Sequence, residues 1–271
     1  MHLLVFGPGY TASRFITAFA AAHPDARITR ARSQASDGAL GLDDAQVAEA
    51  IATASHVLSS VPPLSADGDD PVLARYGDVL AAASARWVGY LSSTGVYGDT
   101  GGAWVDEATP LAGRRAGRVA ADEAWTALHP QARCFRLPGI YGPGRSAIDR
   151  LRRGPVARID KPGHVFSRIH VDDIVAALMA SLTRGGPGIY NIADDRPAPG
   201  EEVTAYAARL LGVPVPPLEP LETAVLSPMG RAFYAECRRV ANGKMTRELT
   251  LELRYPTYVE GLRACLEGER S

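Results

Sequence analysis

The first turn of the chain constrains the fold more than any other feature. Residues 2–6, HLLVF, are typical of a short buried strand, and residues 11–22 have the apolar spacing of a helix. Between them, Gly7 to Ala12 matches the pattern G-x-G-x-x-G/A. In that pattern the first glycine permits a sharp turn, the second lets a diphosphate approach the backbone, and a small third residue lets helix and strand pack closely.

This turn predicts a dinucleotide site. The N-terminus of the following helix offers free N–H groups and a partial positive charge to phosphates. The residues expected at the diphosphate are Gly7, Gly9, Tyr10, Thr11 and Ala12. The alternative is an ordinary strand–helix connection, but the position of the glycines between a strand and a helix favours the nucleotide site.

Strand-like and helix-like segments alternate as far as about residue 137, and the pattern loosens from Pro143 onward. Strands are predicted at 26–31, 56–60, 87–92, 132–137 and 188–192, and helices at 42–54, 71–84, 114–128, 148–153, 174–182 and 201–211. This rhythm predicts an α/β fold, a Rossmann-type doubly wound parallel sheet.

The last third of the chain lacks this rhythm and predicts a smaller C-terminal substrate-binding cap. Residues 213–228 hold five prolines and are expected to be irregular, with helical pieces at 228–241 and 257–266. We therefore expect a dinucleotide-binding Rossmann domain at 1–142, to which 165–193 return, and a cap formed by 143–164 and 194–271.

Composition excludes several kinds of function. With 29 basic and 30 acidic residues the net charge is −1, so no overall field attracts nucleic acid or a membrane surface. Cys134, Cys237 and Cys265 form no C-x-x-C pair and predict neither a zinc site nor a disulfide framework. No run of 18 apolar residues and no leader pattern is present, so a cytoplasmic protein is expected, with a small-molecule substrate and a possible homodimer as its partners.

The second strand indicates which dinucleotide is bound. NAD-specific sites usually place an acid near the end of this strand, but residues 27–33 read RITRARS. Arg30, Arg32 and Ser33 could hold a 2′-phosphate by charge-assisted hydrogen bonds, which predicts NADP rather than NAD. The alternative is that these are ordinary surface arginines, because only Lys161 and Lys244 among the basic residues are not arginine.

Three further segments carry a family resemblance. They are WVGYLSSTGVYG at 87–98, RLPGIYGPG at 136–144 and SRIHVDDI at 167–174. In this order and at these distances they resemble the extended short-chain dehydrogenases/reductases, the group of nucleotide-sugar epimerases and dehydratases.

The resemblance implies roles for individual residues. Ser93 corresponds to the residue that hydrogen-bonds the reacting oxygen, and its neighbour Ser92 is grouped with the cofactor-binding residues. The remaining residues expected at the cofactor are Ser60, Val61 and Pro62 after the strand at 56–60, Arg118 at the nicotinamide ribose, and Pro138, Gly139 and Ile140 along the nicotinamide.

The sequence departs from this family at the acid/base pair, which is normally Tyr-x-x-x-Lys. None of the ten tyrosines has a lysine four residues later, and Arg114 and Arg118 stand in the two places. An arginine, with a pKa above about 12, cannot cycle a proton near neutral pH. Tyr97 and Tyr141 are candidate replacements, or else packing or substrate-contact residues.

Other polar groups in the sequence also allow more than one interpretation. His170 with Asp172 and Asp173 favours helix capping over a metal site, and no metal is expected. The pairs Asp69-Asp70 and Asp194-Asp195 have the flanking residues of solvated turns. Arg150, Arg152 and Arg153 could grip a phosphate or carboxylate substrate, or form a solvated helix face.

Two functions remain open from the sequence. One is an NADP-dependent oxidoreductase or epimerase-like enzyme with a non-standard acid/base, acting on a small polar substrate. The other is a catalytically silent NADP-binding redox sensor or regulator, which the missing tyrosine–lysine pair would suit.

Overall fold

Seven parallel strands form the centre of the protein. The computed structural model describes residues 1–66, 68–154 and 156–268. The strands of the central sheet are β1 (His2–Phe6), β2 (Arg27–Arg32), β3 (Leu40–Gly41), β4 (His56–Ser59), β5 (Trp87–Ser93), β7 (Ala132–Leu137) and β11 (Gly188–Asn191), in the order β11-β7-β5-β4-β1-β2-β3. The doubly wound Rossmann-type parallel sheet predicted from the alternation is therefore confirmed.

The side chains of β1 alternate between the two faces of the sheet, and each face is covered by helices. Leu3 and Val5 pack in one core with Phe15 and Phe19 of α1 (Tyr10–Ala22) and with α6 (Val171–Ser181). Leu4 and Phe6 pack in the other core. That core also includes residues of α2 (Gln46–Thr53), α3 (Pro71–Ala81) and α4 (Ala116–Leu128). Each fully buried apolar side chain of this size contributes about 1.5–3 kcal/mol, so the sheet and its helices are the stable frame of the protein.

The order of the strands places the candidate site. From β1 the chain runs outward through β2 to β3, then crosses back to β4, on the other side of β1. In sheets of this kind, ligands bind at such a switch point, outside the carboxyl ends of the strands. The glycine turn follows β1 at that edge.

The remaining elements, apart from β6, follow β7 in the chain. They are β6 (Trp104–Val105), β8 (Gly139–Tyr141), α5 (Ala147–Arg153), β9 (Arg158–Asp160), β10 (Arg168–His170), α7 (Gly200–Leu211), β12 (Leu218–Pro220), α8 (Pro228–Phe233), β13 (Arg239–Val240), α9 (Gly243–Glu248) and α10 (Tyr258–Glu267). The pairs β8–β10, β9–β12 and β6–β13 are short two-stranded sheets. A separate core joins α5, α7 and α10 through Ile148, Val203 and Leu262.

The helix predicted at 228–241 is wrong beyond Phe233, because Arg239 and Val240 form β13 and pair with β6. The domain boundaries stay a prediction. Within the predicted cap, Met245 and Leu249 pack in the core of the central sheet.

Some helix ends also differ from the sequence pattern. The helix predicted at 42–54 begins only at Gln46, because residues before it form a turn in which Asp44 accepts a hydrogen bond from the Gly41 amide at 2.6 Å. None of the helices in the described ranges has both the length and the apolar character needed to cross a membrane.

Candidate functional site

The glycine turn has the geometry that its sequence predicts. Gly7 has φ +70°, and its amide donates to the Ala31 carbonyl of β2 at 2.8 Å. A Cβ on Gly7 would lie 2.8 Å from Val61 Cγ2, so a larger residue would clash with the segment that follows β4. Ala12, the small third residue, is buried against the sheet.

The N-terminus of α1 is left open to an anion. Gly9 is its N-cap and supplies no side-chain cap, and no acidic residue lies in the first turn. A Cβ on Gly9 would meet nothing closer than the Gly7 carbonyl oxygen at 3.9 Å. Because the first amides of a helix have no partner within it, this clear space beside Tyr10 and Thr11 fits a diphosphate.

Tyr10 also connects the turn to the segment after β8. Its hydroxyl donates to the Pro143 carbonyl at 2.9 Å, and burial raises its pKa. The guanidinium groups of Arg14 and Arg145 lie 5.1 and 5.7 Å from its ring centroid. The phenol thus links α1 to the segment that leaves the predicted nicotinamide loop.

The end of β2 presents two arginines on the same face of the strand, since Arg30 and Arg32 are two residues apart. Arg30 donates to the Asp37 carbonyl at 3.1 Å, and Arg32 to Ser36 Oγ at 2.7 Å and Asp37 Oδ2 at 3.4 Å. Ser33 is exposed beside them. The Arg32–Asp37 pair is exposed and therefore weak, so a phosphate could compete for Arg32.

The segment after β4 borders the same turn. Ser60 Oγ donates to the Gly7 carbonyl, Val61 packs on Gly7, and Pro62 is exposed. Arg118 lies in the first turn of α4, and its guanidinium has no hydrogen-bond partner within 1–66, 68–154 and 156–268. It is thus available to a ligand.

Ser92 and Ser93 point in opposite directions, as successive residues of a strand do. Ser93 is partly accessible, and its Oγ accepts a hydrogen bond from the Gly95 amide at 3.1 Å. Ser92 is buried, and its Oγ donates to Asp122 Oδ2 at 2.5 Å. Ser92 stays a predicted cofactor-binding residue, but its hydroxyl is committed to Asp122 in the core.

Asp122 is the centre of a buried network. Arg136 Nη2 donates to Asp122 Oδ1 at 2.6 Å, and Cys134 Sγ lies 3.2 Å from Oδ2. Arg136 continues the network through Nη1, which donates to the Tyr97 hydroxyl at 3.0 Å. Burial and the neighbouring Asp122 charge raise the pKa of the Cys134 thiol, which makes that thiol unreactive.

Tyr97 and Tyr141 do not suit the role of proton donor. Tyr97 is 1% exposed, and its hydroxyl donates to Asn191 Oδ1 at 2.8 Å. Tyr141 is also buried, and its hydroxyl donates to the Thr257 carbonyl at 3.3 Å. Burial raises the pKa of both phenols. Their burial and partners favour the packing role that the sequence left as the alternative.

Arg114, at the tyrosine place of the family pattern, binds the C-terminal part of the chain. Its Nε donates to Glu236, and its Nη2 donates to the Ala232 carbonyl at 3.2 Å. Glu236 also pairs with Arg238 at 2.8 Å. An added Cβ on Gly95 would lie 3.3 Å from Ser93 Oγ and 4.0 Å from Arg238 Nη2, so Arg238 reaches the turn that carries Ser93.

The segment after β7 follows the predicted path. Pro138 and Ile140 are partly accessible and Gly139 is exposed. Gly139 pairs in register with Arg168 of β10. The predicted nicotinamide loop therefore lies directly beside Arg168.

The group at 170–173 is a helix cap. His170 is itself the N-cap of α6 and accepts from the Asp172 amide through Nδ1 at 3.2 Å. Asp172 pairs with Arg14, and Asp173 accepts from the Arg254 and Tyr255 amides at 2.8 and 3.1 Å. In the described part of the chain, no three potential ligands group together in a way that could hold a metal ion.

Two predicted surface carboxylates are buried. Asp70 caps α3 and accepts from Trp125 Nε1 at 2.9 Å. Asp194 is 1% exposed, and burial raises its pKa to about 8. Its Oδ2 has no hydrogen-bond partner among the described residues. The solvated-turn prediction is therefore wrong for both. No role at the site was predicted from the sequence for Asp194, Arg168 or Arg238, although Arg168 lies in the motif at 167–174.

Comparison with known proteins identifies relatives of the chain. A conserved protein of unknown function from Silicibacter pomeroyi DSS is 43% identical, with a TM-score of 0.86 and 98% of each chain covered. The chain belongs to the family of that protein. No family model matches it.

More distant structures identify the fold. A human epimerase family protein, SDR39U1, solved with NADPH, has a TM-score of 0.77 at 17% identity over 98% of this chain and 99% of its own. A dTDP-glucose 4,6-dehydratase from Bacillus anthracis, solved with NAD, has a TM-score of 0.72 at 17% identity over 100% and 96%. The chain thus has the fold of the extended short-chain dehydrogenases/reductases, as its motifs predicted.

One curated relative has a named activity. A 3-diazoavenalumate denitrifying reductase from a Streptomyces species is 30% identical in an alignment of 139 positions that covers 47% of this chain. The match spans 45%, less than half, of that relative's length.

Proposed function

We propose that this family member is an NADP-dependent oxidoreductase or epimerase-like enzyme acting on a small polar substrate. The observation that carries the proposal is the open N-terminus of α1 behind the glycine turn, with Arg30 and Arg32 at the end of the neighbouring strand. The name of the Streptomyces relative supports a reductase, and the fold is one that holds NAD in one solved structure and NADPH in another.

The residues present fit such a cofactor. The amides of Tyr10 and Thr11 would receive the diphosphate, and Arg30, Arg32 and Ser33 the 2′-phosphate. Residues 60–62 would lie along the middle of the cofactor, and Arg118 with residues 138–140 around the nicotinamide. The bound nicotinamide supplies hydride transfer.

Ser93 is the residue proposed to orient the reacting oxygen. Its Oγ accepts from the Gly95 amide, which leaves its own proton free to donate to a substrate carbonyl. Arg238 Nη2 approaches the same turn and could stabilise negative charge on that oxygen. Since Tyr97 and Tyr141 are buried, the proton would come from water or from the substrate.

The cofactor preference is tested by titrating the protein with NADPH and with NADH. We expect tighter binding of NADPH, and Arg32→Ala should weaken NADPH by about tenfold or more while changing NADH little. Arg27→Ala, at the start of the same strand, is the control for lost surface charge. Equal losses for both nucleotides would remove the 2′-phosphate argument, and no binding of either at millimolar concentration would refute the proposed function.

A second candidate is a silent NADP-binding sensor. The contact of Arg114 with Glu236 favours it, because the position that carries the proton donor in the family holds a cation bound to an acid. Following NADPH absorbance with a panel of carbonyl compounds separates the two functions. Oxidation that Ser93→Ala abolishes supports the enzyme, and tight NADPH binding without oxidation supports the sensor.

A further inference from the structure

Arg168 lies at the point where the predicted nicotinamide loop meets the C-terminal part of the chain. Its side-chain Cγ is 3.7 Å from where a Cβ on Gly139 would be, and Nη1 donates to the carbonyls of Phe166 and Ala198, both at 2.8 Å. Its Nε and Nη2 have no hydrogen-bond partner among the described residues. Two donors of a guanidinium beside the site are therefore uncommitted.

Arg150, on α5, is a second cation, and its charge acts on both Arg168 and Tyr234. Its side chain is accessible to solvent, yet the surrounding protein desolvates it enough to lower its pKa, with Tyr234 and Arg153 close by. Burial likewise lowers the pKa of Arg168 to about 10, and the charge of Arg150 contributes to this shift.

No carboxylate of the described residues neutralises these two arginines, since none lies within ion-pair distance of either. Asp194 is the acid with the largest electrostatic effect on Arg168. With a pKa of about 8, it is mostly protonated near neutral pH. Two like charges without a counter-ion in a desolvated place are unfavourable, and an anionic ligand would stabilise them.

An aromatic surface lies beside the arginines. The rings of Phe166 and Tyr234 meet edge to face with centroids 5.4 Å apart, and the guanidinium of Arg168 lies 5.7 Å from the Phe166 ring. The Tyr234 hydroxyl would be 3.4 Å from a Cβ on Gly200 and has no hydrogen-bond partner within the described ranges. Tyr234 is four residues from Arg238, so the Cα atoms of these two residues are at most about 14 Å apart. Arg238 in turn approaches the Ser93 turn.

We propose that Arg150 and Arg168 bind the oxyanion of a substrate, a carboxylate or a phosphate monoester, whose flat apolar body packs against Phe166 and Tyr234. Arginine suits either anion, because its planar fork donates two parallel hydrogen bonds to carboxylate or phosphate oxygens. This inference rests on the proposed function, since it places the reacting carbon of that substrate between the oxyanion and Ser93.

Calorimetric binding of three small aldehydes tests the inference. The probes are 4-formylbenzoate, 4-formylphenyl phosphate and the neutral methyl 4-formylbenzoate, titrated into protein with saturating NADP⁺, which cannot reduce them. We expect at least one anion to bind about tenfold or more tightly than the ester, as two charge-assisted hydrogen bonds imply. Whichever anion binds more tightly identifies the oxyanion.

Arg150→Gln should abolish this discrimination and leave the affinity for the ester unchanged. Arg209→Gln, an exposed position in α7, removes the same charge elsewhere and should keep the discrimination. If the ester binds as tightly as both anions, or if Arg150→Gln still discriminates, the inference is wrong. Parallel titrations without nucleotide distinguish failure of this inference from failure of the proposed function. If the protein does not bind NADP⁺, the proposed function is refuted, but the anion preference can still be measured.

Discussion

Arg136 and Asp122 form an ion pair at 2.6 Å in which the side chains are 3% and 1% exposed. The pair joins β7 to α4, and Asp122 also accepts from Ser92 near the end of β5, next to Ser93. A buried charge is tolerated only when its partner and hydrogen bonds are present. An intact pair is therefore needed to hold the end of β5, which carries Ser93, in place.

Removing one partner should destabilise the whole protein. We expect Asp122→Leu to lower the free energy of unfolding by about 3–5 kcal/mol, because it leaves the Arg136 guanidinium buried without a counter-ion. Urea denaturation measures the loss. The double variant Asp122→Leu with Arg136→Met should recover much of it, and a single variant that loses less than about 1 kcal/mol would contradict this account of the network.

Gly9→Ala should separate folding from nucleotide binding. The backbone of Gly9, at φ −85°, is accessible to alanine, and the added Cβ would point into clear space. We expect the free energy of unfolding to change by no more than about 0.5 kcal/mol. NADPH affinity should fall about tenfold or more, because the methyl group occupies the approach of the diphosphate.

Fluorescence titration with NADPH and urea denaturation measure the two effects of Gly9→Ala. Gly77→Ala, in the middle of α3 with open space around it, is the matched control and should leave NADPH affinity unchanged. A Gly9→Ala protein that binds NADPH as the parent does would show that the glycine turn is only a strand–helix connection.

The parts of the fold that the sequence predicts are those with strong local signals. Residues 2–6 and 132–137 are runs that match buried strands, and the glycine turn lies where its pattern places it. Short strands such as β9 and β13 were not predicted. Each exists only because a partner more than 25 residues away pairs with it, and no local pattern records that partner.

At the site, the sequence also does not show in which direction a side chain points. A tyrosine in a turn can point to solvent or to the core, and Tyr97 points to the core because Arg136 and Asn191 satisfy its hydroxyl. Arg168 belongs to the SRIHVDDI motif, but no role at the site was predicted for its side chain. Its importance comes from pairing opposite Gly139, which only the fold establishes.

Asp194 should make stability depend on pH. Its pKa is about 8 in the folded state and 3.8 for an ordinary carboxyl, so between these values the folded protein holds a proton that the unfolded chain releases. Its contribution to stability is therefore full below about pH 4 and is lost as the pH rises towards 8. Each unit of pH in that window corresponds to about 1.4 kcal/mol at most.

Asp194→Asn should remove this dependence. Urea denaturation at pH 5, 7 and 9 measures the free energy of unfolding. The value for the variant, relative to that of the parent, should rise from pH 5 to pH 7 and level off near pH 8 to 9. Asp195→Asn, at the next residue, whose carboxylate accepts from Asn242 at 2.7 Å, is the control. A constant difference between Asp194→Asn and the parent at all three values would mean that Asp194 is ionised in the folded protein.

Ser93 and Tyr97 should respond to mutation in opposite ways. Ser93→Ala removes the donor proposed for the reacting oxygen, so kcat/KM should fall about 10²-fold or more while NADPH affinity stays within about twofold.

Tyr97→Phe removes a buried hydroxyl that serves Arg136 and Asn191, so it should lower the free energy of unfolding by about 1–3 kcal/mol. The pH profile of kcat should not move in Tyr97→Phe, because its hydroxyl has no route to the substrate. Steady-state kinetics on an aldehyde that the parent reduces, with urea denaturation of both variants, measures each effect. A stable Tyr97→Phe protein that has lost its activity would show that the Tyr97 phenol is the proton donor, and the packing role given to Tyr97 would be wrong.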